Sequence, residues 1–320
     1  MKEQMKKHVL VIDPLWDFYC SGLRVAFSEL EFTGAATSAE AEKYLEHVEI
    51  ICAKTIPRIF NEGFLQKATR LEWIQAFTTG TDGVTKLKAL GPEVILTSMR
   101  GIHGPQMAEM AMMFMIALAR DFPRHIRNQQ AHRWTKHEQR QLHGKTVTIL
   151  GIGVSGEALA IGAKAFGMHV IGVTGTPRDL PGFDRVLPRD QLLEAVAEAD
   201  FLCLLLPWTP ENDKIINARV FNAMKPGACL VNIARGGVCD EVALLEALRS
   251  GRIAGAALDV FNPEPLDASH PYWDMENVII TPHTAGDSDN YHERALEVTI
   301  ENMKIYLAGR RGEMLNLVSH

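Results

Sequence analysis

Three glycines, Gly151, Gly153 and Gly156, constrain the fold of this 320-residue chain more tightly than any other feature. They follow an apolar, β-branched run at 146–150, which reads as a buried strand. Small and apolar residues at helical spacing occupy 155–166, and 169–173 is a second strand-like run. In a strand–turn–helix of this kind each glycine has its own task. The first makes a tight turn, the second lets backbone approach a pyrophosphate, and the third lets helix pack closely on strand. The helix start adds unpaired N–H groups and partial positive charge. A lone G-x-G-x-x-G says little; flanked by strand, helix and strand, it predicts a dinucleotide-binding β-α-β unit.

The rest of the chain keeps the same rhythm. Strands are predicted at 8–12, 48–53, 73–77 and 94–97, with helices at 39–46 and 57–66. Beyond the glycines, helices at 191–197, 218–224 and 241–250 alternate with strands at 201–206, 229–233, 253–260 and 277–281. Such alternation predicts an α/β chain of parallel sheets covered by helices. Strand ends carry Thr174, Thr209, Arg235, Asp259 and His283, and in a doubly wound sheet those ends converge on one edge, where ligands bind. The turn 78–83 also follows a strand, and its N–H groups either hold an anion or make an ordinary glycine turn. The helix over 105–119 is apolar all round, which predicts burial in core or subunit interface. The segment 120–145 is basic and reads as a solvated or inter-subunit face.

Composition excludes several classes. Apolar residues make up 47% and charged residues 22%, as in ordinary globular proteins, and the net charge of −6 argues against general affinity for nucleic acid or anionic membrane. No apolar run approaches the roughly 20 residues a membrane span requires, and no secretory signal pattern opens the chain. The five cysteines form no C-x-x-C pair and read as buried thiols in a reducing compartment, so a cytoplasmic location is expected. His125, His132, His137 and His143 lack the spacing of a helical metal site, and no metal is expected.

Arg235, Glu264 and His283 are the side chains suited to chemistry. Arg235 sits between a strand and two glycines, where a planar guanidinium suits a carboxylate. Glu264 lies between Pro263 and Pro265, and His283 follows Pro282 at a strand end. Singly, each is as readily a solvated or structural residue.

Their order after a dinucleotide loop resembles that of the D-isomer-specific 2-hydroxyacid dehydrogenases, the family of glyoxylate/hydroxypyruvate reductases and phosphoglycerate dehydrogenases. The likeness covers nearly the whole chain. LHGKTVTILGIGVSGEALA resembles the family's cofactor loop, KPGACLVNIARGGVCDEVALLEAL its arginine segment, and AALDVFNPEPLDASHPYWDMENVIITPHTAG its glutamate–histidine segment. It implies two doubly wound parallel-sheet domains: a Rossmann cofactor domain (101–287) inserted into a flavodoxin-like substrate domain (1–100 and 288–320), with the active site in the cleft. It also implies a homodimer built on the apolar helix and the basic segment.

The resemblance implies roles as well. Arg235 would pair with the carboxylate of a 2-keto acid, and His283 would exchange a proton with the keto oxygen while a nicotinamide delivers hydride. Glu264, an opposite charge beside His283, would favour its protonated form. Thr79 and Gly80 would hold the substrate carboxylate through N–H groups. Gly151, Gly153, Val154, Ser155 and Gly156 would meet the pyrophosphate. Thr174, Arg178, Pro207, Thr209, Ile233 and Ala234 would line the rest of the cofactor, with Asp259 on the nicotinamide amide.

NAD-specific members place an acid near Thr174 to bond the ribose 2′-hydroxyl. Here no carboxylate stands there, Arg178 is nearby, and the paired arginines of NADP-preferring relatives are absent; between NAD and NADP the sequence leans to NADP. Glu264 distinguishes the chain from formate-oxidising relatives, which carry glutamine there. No C-terminal regulatory domain follows the closing helix. A second reading keeps the fold and the three residues in a nucleotide-sensing protein of the corepressor kind, but no long disordered arm is present for partner recruitment. Met99 and Arg100 read as substrate contacts or interdomain structure, and Trp134 and Trp273 as core aromatics or as residues that shape the pocket, across subunits included.

Overall fold

The structure is a computed structural model and describes residues 6–320. In it the chain forms two compact units, His103–Asp287 and the flanking residues through Ile102 joined by Ser288–His320.

The flanking unit begins β1 (His8–Ile12), α1 (Trp16–Ala26), β2 (Glu31–Ala35), α2 (Ser38–Ala41), β3 (Ile50–Ala53), α3 (Glu62–Lys67), β4 (Trp73–Ala76), α4 (Asp82–Thr85) and β5 (Ile95–Thr97). The inserted unit runs α5 (Gly104–Ala119), α6 (Phe122–Gln130), β6 (Thr146–Leu150), α7 (Val154–Ala165), β7 (His169–Thr174), β8 (Arg185–Pro188), α8 (Leu192–Ala197), β9 (Phe201–Leu204), α9 (Ala218–Ala223), β10 (Cys229–Asn232), α10 (Glu241–Arg249), β11 (Gly255–Leu258) and β12 (Val278–Ile280). The last helix, α11 (Tyr291–Leu307), returns to the first unit.

All strand pairings within the two sheets are parallel. The first sheet has the order β2-β1-β3-β4-β5, the flavodoxin arrangement. The second has the order β12-β11-β10-β9-β6-β7-β8, the Rossmann arrangement extended by one strand. Each sheet is covered on both faces, which is why its central strands are largely apolar and almost wholly buried. In β1, Val9 and Val11 join one core while Leu10 and Ile12 join the other. In β10, Leu230 faces one core and Cys229 and Val231 the opposite one. All five cysteines are buried and free, and burial pushes the Cys20 thiol up to about 11.

Five elements escape the sequence pattern: α1, β2, α4, α6 and β8. Gly22 breaks the apolar pattern of α1, and β2 and β8 are half-polar. In β2, Gly34 leaves room for the Trp16 ring, which a Cβ would meet at 2.0 Å. The helix expected over 57–66 starts later, at Glu62, because the Asn61 side chain accepts the Phe64 N–H and caps it there.

Exposure bears on four further expectations. α5 is not buried all round: Met113 is 47% exposed and Glu109 shares its face. Trp134 is 95% exposed and Trp273 51%, so neither is a core aromatic. Met99 is fully buried and offers no surface to a substrate. Arg100 is exposed, and its carbonyl accepts from the Asn316 side chain.

A buried polar chain ties α11 to the first sheet. Trp73 Nε1 donates to Thr97 Oγ1, Thr97 Oγ1 donates to Gln75 Oε1, and Asn302 Nδ2 donates to the same Gln75 oxygen, each at 2.9 Å. Asn302 Oδ1 also accepts the Leu315 N–H. Such groups cost little while paired and much when orphaned. Asn302→Leu is therefore expected to destabilise the fold by about 2–3 kcal/mol, read as a lower urea midpoint with an unchanged m-value.

Candidate active site

The parallel strands of the inserted unit deliver their C-terminal ends to one edge, and the expected site residues follow those ends. The glycine turn follows β6, Thr174 ends β7, Pro207 and Thr209 follow β9, Arg235 follows β10, Asp259 follows β11, and His283 follows β12.

The three glycines differ in what surrounds them. Gly151 has φ +101°, and a Cβ there would lie 2.7 Å from the Leu206 nitrogen. A Cβ on Gly156 would lie 2.4 Å from the Gly151 carbonyl oxygen. A Cβ on Gly153 would meet nothing within 4 Å, although it would fill the space in front of the helix start. Gly153 is the N-cap of α7, and no side chain caps that helix. The first-turn N–H groups, Val154 and Ser155 among them, therefore have no capping side chain among the described residues, the fit a pyrophosphate requires.

Arg235, Glu264 and His283 come together from loops after adjacent strands. His283 Nδ1 lies 2.7 Å from Glu264 Oε2. The other Glu264 oxygen accepts the Phe261 N–H at 2.9 Å. Burial pushes the Glu264 carboxyl up, but His283, the Phe261 N–H and the nearby Arg235 charge outweigh it and hold the carboxyl below its usual range. The arginine loop touches the glutamate loop so closely that a Cβ on Gly236 would lie 2.2 Å from the Phe261 carbonyl carbon. Arg235 Nη1 donates to the Ala234 carbonyl at 2.6 Å.

Two supports were not singled out from sequence. Asn232, 2% exposed, accepts the Ala234 N–H through Oδ1 and donates through Nδ2 to the Arg235 carbonyl, fixing that turn. Thr281 donates its hydroxyl to Asp259. The only sequence signal for either was a polar residue in an otherwise apolar strand or at its end.

Asp259 is almost wholly buried. Its carboxylate is 1% exposed and accepts the Thr281 hydroxyl and the N–H groups of Thr284 and Ala285, the latter two at 2.9 Å. Its own carbonyl accepts the His283 N–H at 2.8 Å. These bonds brace the histidine loop, in which His283 itself has φ 56°.

The other cofactor positions are varied. Thr174 Oγ1 accepts the Thr176 N–H at 3.4 Å, and the Pro207 carbonyl accepts from Asn212. Thr209 bonds Glu211 and starts a short turn. The Ile233 and Ala234 side chains are buried in core, leaving only main chain to reach a ligand. Arg178 lies against the glycine turn, donating to the Ile152 carbonyl and to Glu157. In the other unit, the loop holding Thr79 and Gly80 is braced by Thr55, whose hydroxyl donates to the Gly80 carbonyl at 2.8 Å. No cluster of three His, Cys, Asp or Glu suited to a metal ion occurs among the described residues.

The model of the D-isomer specific 2-hydroxyacid dehydrogenase NAD binding domain matches residues 112–285. The chain belongs to the D-isomer-specific 2-hydroxyacid dehydrogenase family. It is 33% identical over 260 residues to a glyoxylate reductase of Korarchaeum cryptofilum, covering 78% of this chain and 76% of that protein. A family structure from Aeromonas salmonicida superposes with a TM-score of 0.87 at 33% identity, over 95% of this chain and 97% of that one. An NADPH-dependent glyoxylate/hydroxypyruvate reductase of Sinorhizobium meliloti, solved with NADP and sulfate, has a TM-score of 0.83 at 28% identity, over 98% of each chain. Membership makes this dehydrogenase a nicotinamide-dependent oxidoreductase of hydroxy acids. No helix among the described residues is long and apolar enough to cross a membrane.

The glycines separate folding from coenzyme binding. Gly156→Ala should cost about 1–3 kcal/mol through overpacking and lower the thermal midpoint. Gly153→Ala should fold with stability within about 0.5 kcal/mol of wild type, yet lose most affinity for NADPH and NADH, measured by calorimetric titration.

Proposed function

We propose that this dehydrogenase reduces a small 2-keto acid, of the glyoxylate or hydroxypyruvate kind, to the D-2-hydroxy acid with NADPH, and runs the reverse oxidation. The observation that carries this reading is the contact of His283 Nδ1 with Glu264, beside Arg235, on the strand edge that carries the glycine turn.

The bound coenzyme supplies a hydride to the keto carbon. Arg235 binds the substrate carboxylate, and its fixed fork orients the keto group. With Nδ1 directed at Glu264, His283 presents Nε2 to the keto oxygen and donates a proton as negative charge develops there. In oxidation the neutral imidazole takes the hydroxyl proton back. Glu264 stays ionised across neutral pH and holds the Nδ1 side of the ring.

The coenzyme-binding residues are proposed as expected from sequence, Asp259 excepted. NADP is favoured because Thr174 brings no carboxylate to the ribose and Arg178 brings a cation; the Sinorhizobium relative binds NADP. We also propose a homodimer that covers Met113, Phe122, Ile126 and Trp134, which are exposed in the single chain. Five buried thiols suit a reducing cytoplasm. No observation favours a corepressor-like reading.

Assays with glyoxylate and hydroxypyruvate test the proposal. Arg235→Ala is expected to lower kcat/KM by about a hundredfold or more, and His283→Ala to lower kcat by about 10²–10⁴. Tight coenzyme binding without turnover on any 2-keto acid would overturn the reading.

The carboxylate of Glu264 has its own pH signature. Its pKa is depressed, so the stability gained from its ionisation is present above the ordinary value of about 4.3. That stability disappears as pH falls through the depressed value. Glu264→Gln should lose this acid-side dependence of the unfolding midpoint.

A further inference from the structure

A carboxylate holds the cation beside the glycine turn. Arg178 Nη2 donates to Glu157 Oε1 at 2.8 Å and to the Ile152 carbonyl at 3.2 Å. Ile152 lies between Gly151 and Gly153, and Glu157 lies in the first turn of α7. The remaining Arg178 nitrogens donate to no described residue. The side chains of Arg178 and Glu157 are 50% and 39% exposed, so the pair contributes little to the fold and stays open to exchange. A carboxylate buried in the core would be structural; this one stands where a coenzyme's adenosine end would arrive.

We propose that Glu157 is a specificity-determining residue for the coenzyme, setting the balance between NADP and NAD by neutralising Arg178. The inference rests on the reading above, in which Arg178 receives the 2′-phosphate. A 2′-phosphate must compete with Glu157 for the guanidinium, and the displaced or shared carboxylate remains a like charge beside it. NAD presents a 2′-hydroxyl there instead, which a carboxylate accepts without penalty. Glu157 also reduces the positive potential of the α7 N-terminus. That effect acts on the pyrophosphate common to both coenzymes and cancels in their ratio. One carboxylate thus selects against NADP, and a neutral residue of the same shape does not.

The test is calorimetric titration of NADPH and NADH into the wild-type protein, Glu157→Gln, Arg178→Gln and the double variant. Glu157→Gln is expected to tighten NADPH about tenfold while NADH stays within about threefold. Arg178→Gln should weaken NADPH about tenfold or more, and in that background the gain from Glu157→Gln should shrink. The proposal is overturned if Glu157→Gln moves both coenzymes by one factor or moves neither. It is also overturned if the gain persists in full without Arg178. A wild-type protein that prefers NADH overturns the NADP assignment alone, because the shift in ratio on Glu157→Gln still decides the role of Glu157.

Discussion

The buried carboxylate of Asp259 is the interaction on which the catalytic edge depends. A carboxyl group with 1% exposure is tolerable only when donors surround it, and here the next loop supplies them. Thr281, Thr284 and Ala285 donate to the carboxylate while His283 donates its N–H to the Asp259 carbonyl. Wrapped in this way, the loop carries His283 at positive φ, a conformation unfavourable for a residue with a Cβ. Without the aspartate, nothing in the local sequence would keep the imidazole aimed at Glu264.

The same logic governs the neighbouring strand ends. Asn232 closes the arginine turn with two hydrogen bonds, and Gly236 lets that turn lie against the loop carrying Glu264. Three adjacent parallel strands thus end in three loops, each braced by a polar group at or just beyond its strand. The apolar sheet supplies rigidity. The buried polar groups convert that rigidity into fixed positions for Arg235, Glu264 and His283.

Much of this was legible in the residues. Continuous apolar runs such as Phe201–Leu204 identify themselves as central parallel strands, because both faces must be buried. Two of the edge strands were not legible, since Glu31–Ala35 and Arg185–Pro188 need to satisfy only part of a core. The glycine turn and the three chemical residues stood out by spacing and order. The task of Asp259 did not, because a polar residue at a strand end looks the same whether it faces a ligand or folds back on its own chain. Trp134 misled for a related reason: an aromatic side chain suggests a core, and in the single chain it is almost wholly exposed. The Glu157–Arg178 pair joins residues of two different elements and has no signature in either alone.

The most direct test of the account is Asp259→Asn, which keeps the size of the side chain but replaces an acceptor with a donor facing main-chain N–H groups. Coenzyme affinity and turnover of glyoxylate or hydroxypyruvate should be measured on the same preparation. If Asp259 positions His283, kcat falls by about a hundredfold while coenzyme Kd stays within about threefold. Loss of coenzyme affinity with kcat preserved at saturation would contradict the account and return Asp259 to the nicotinamide.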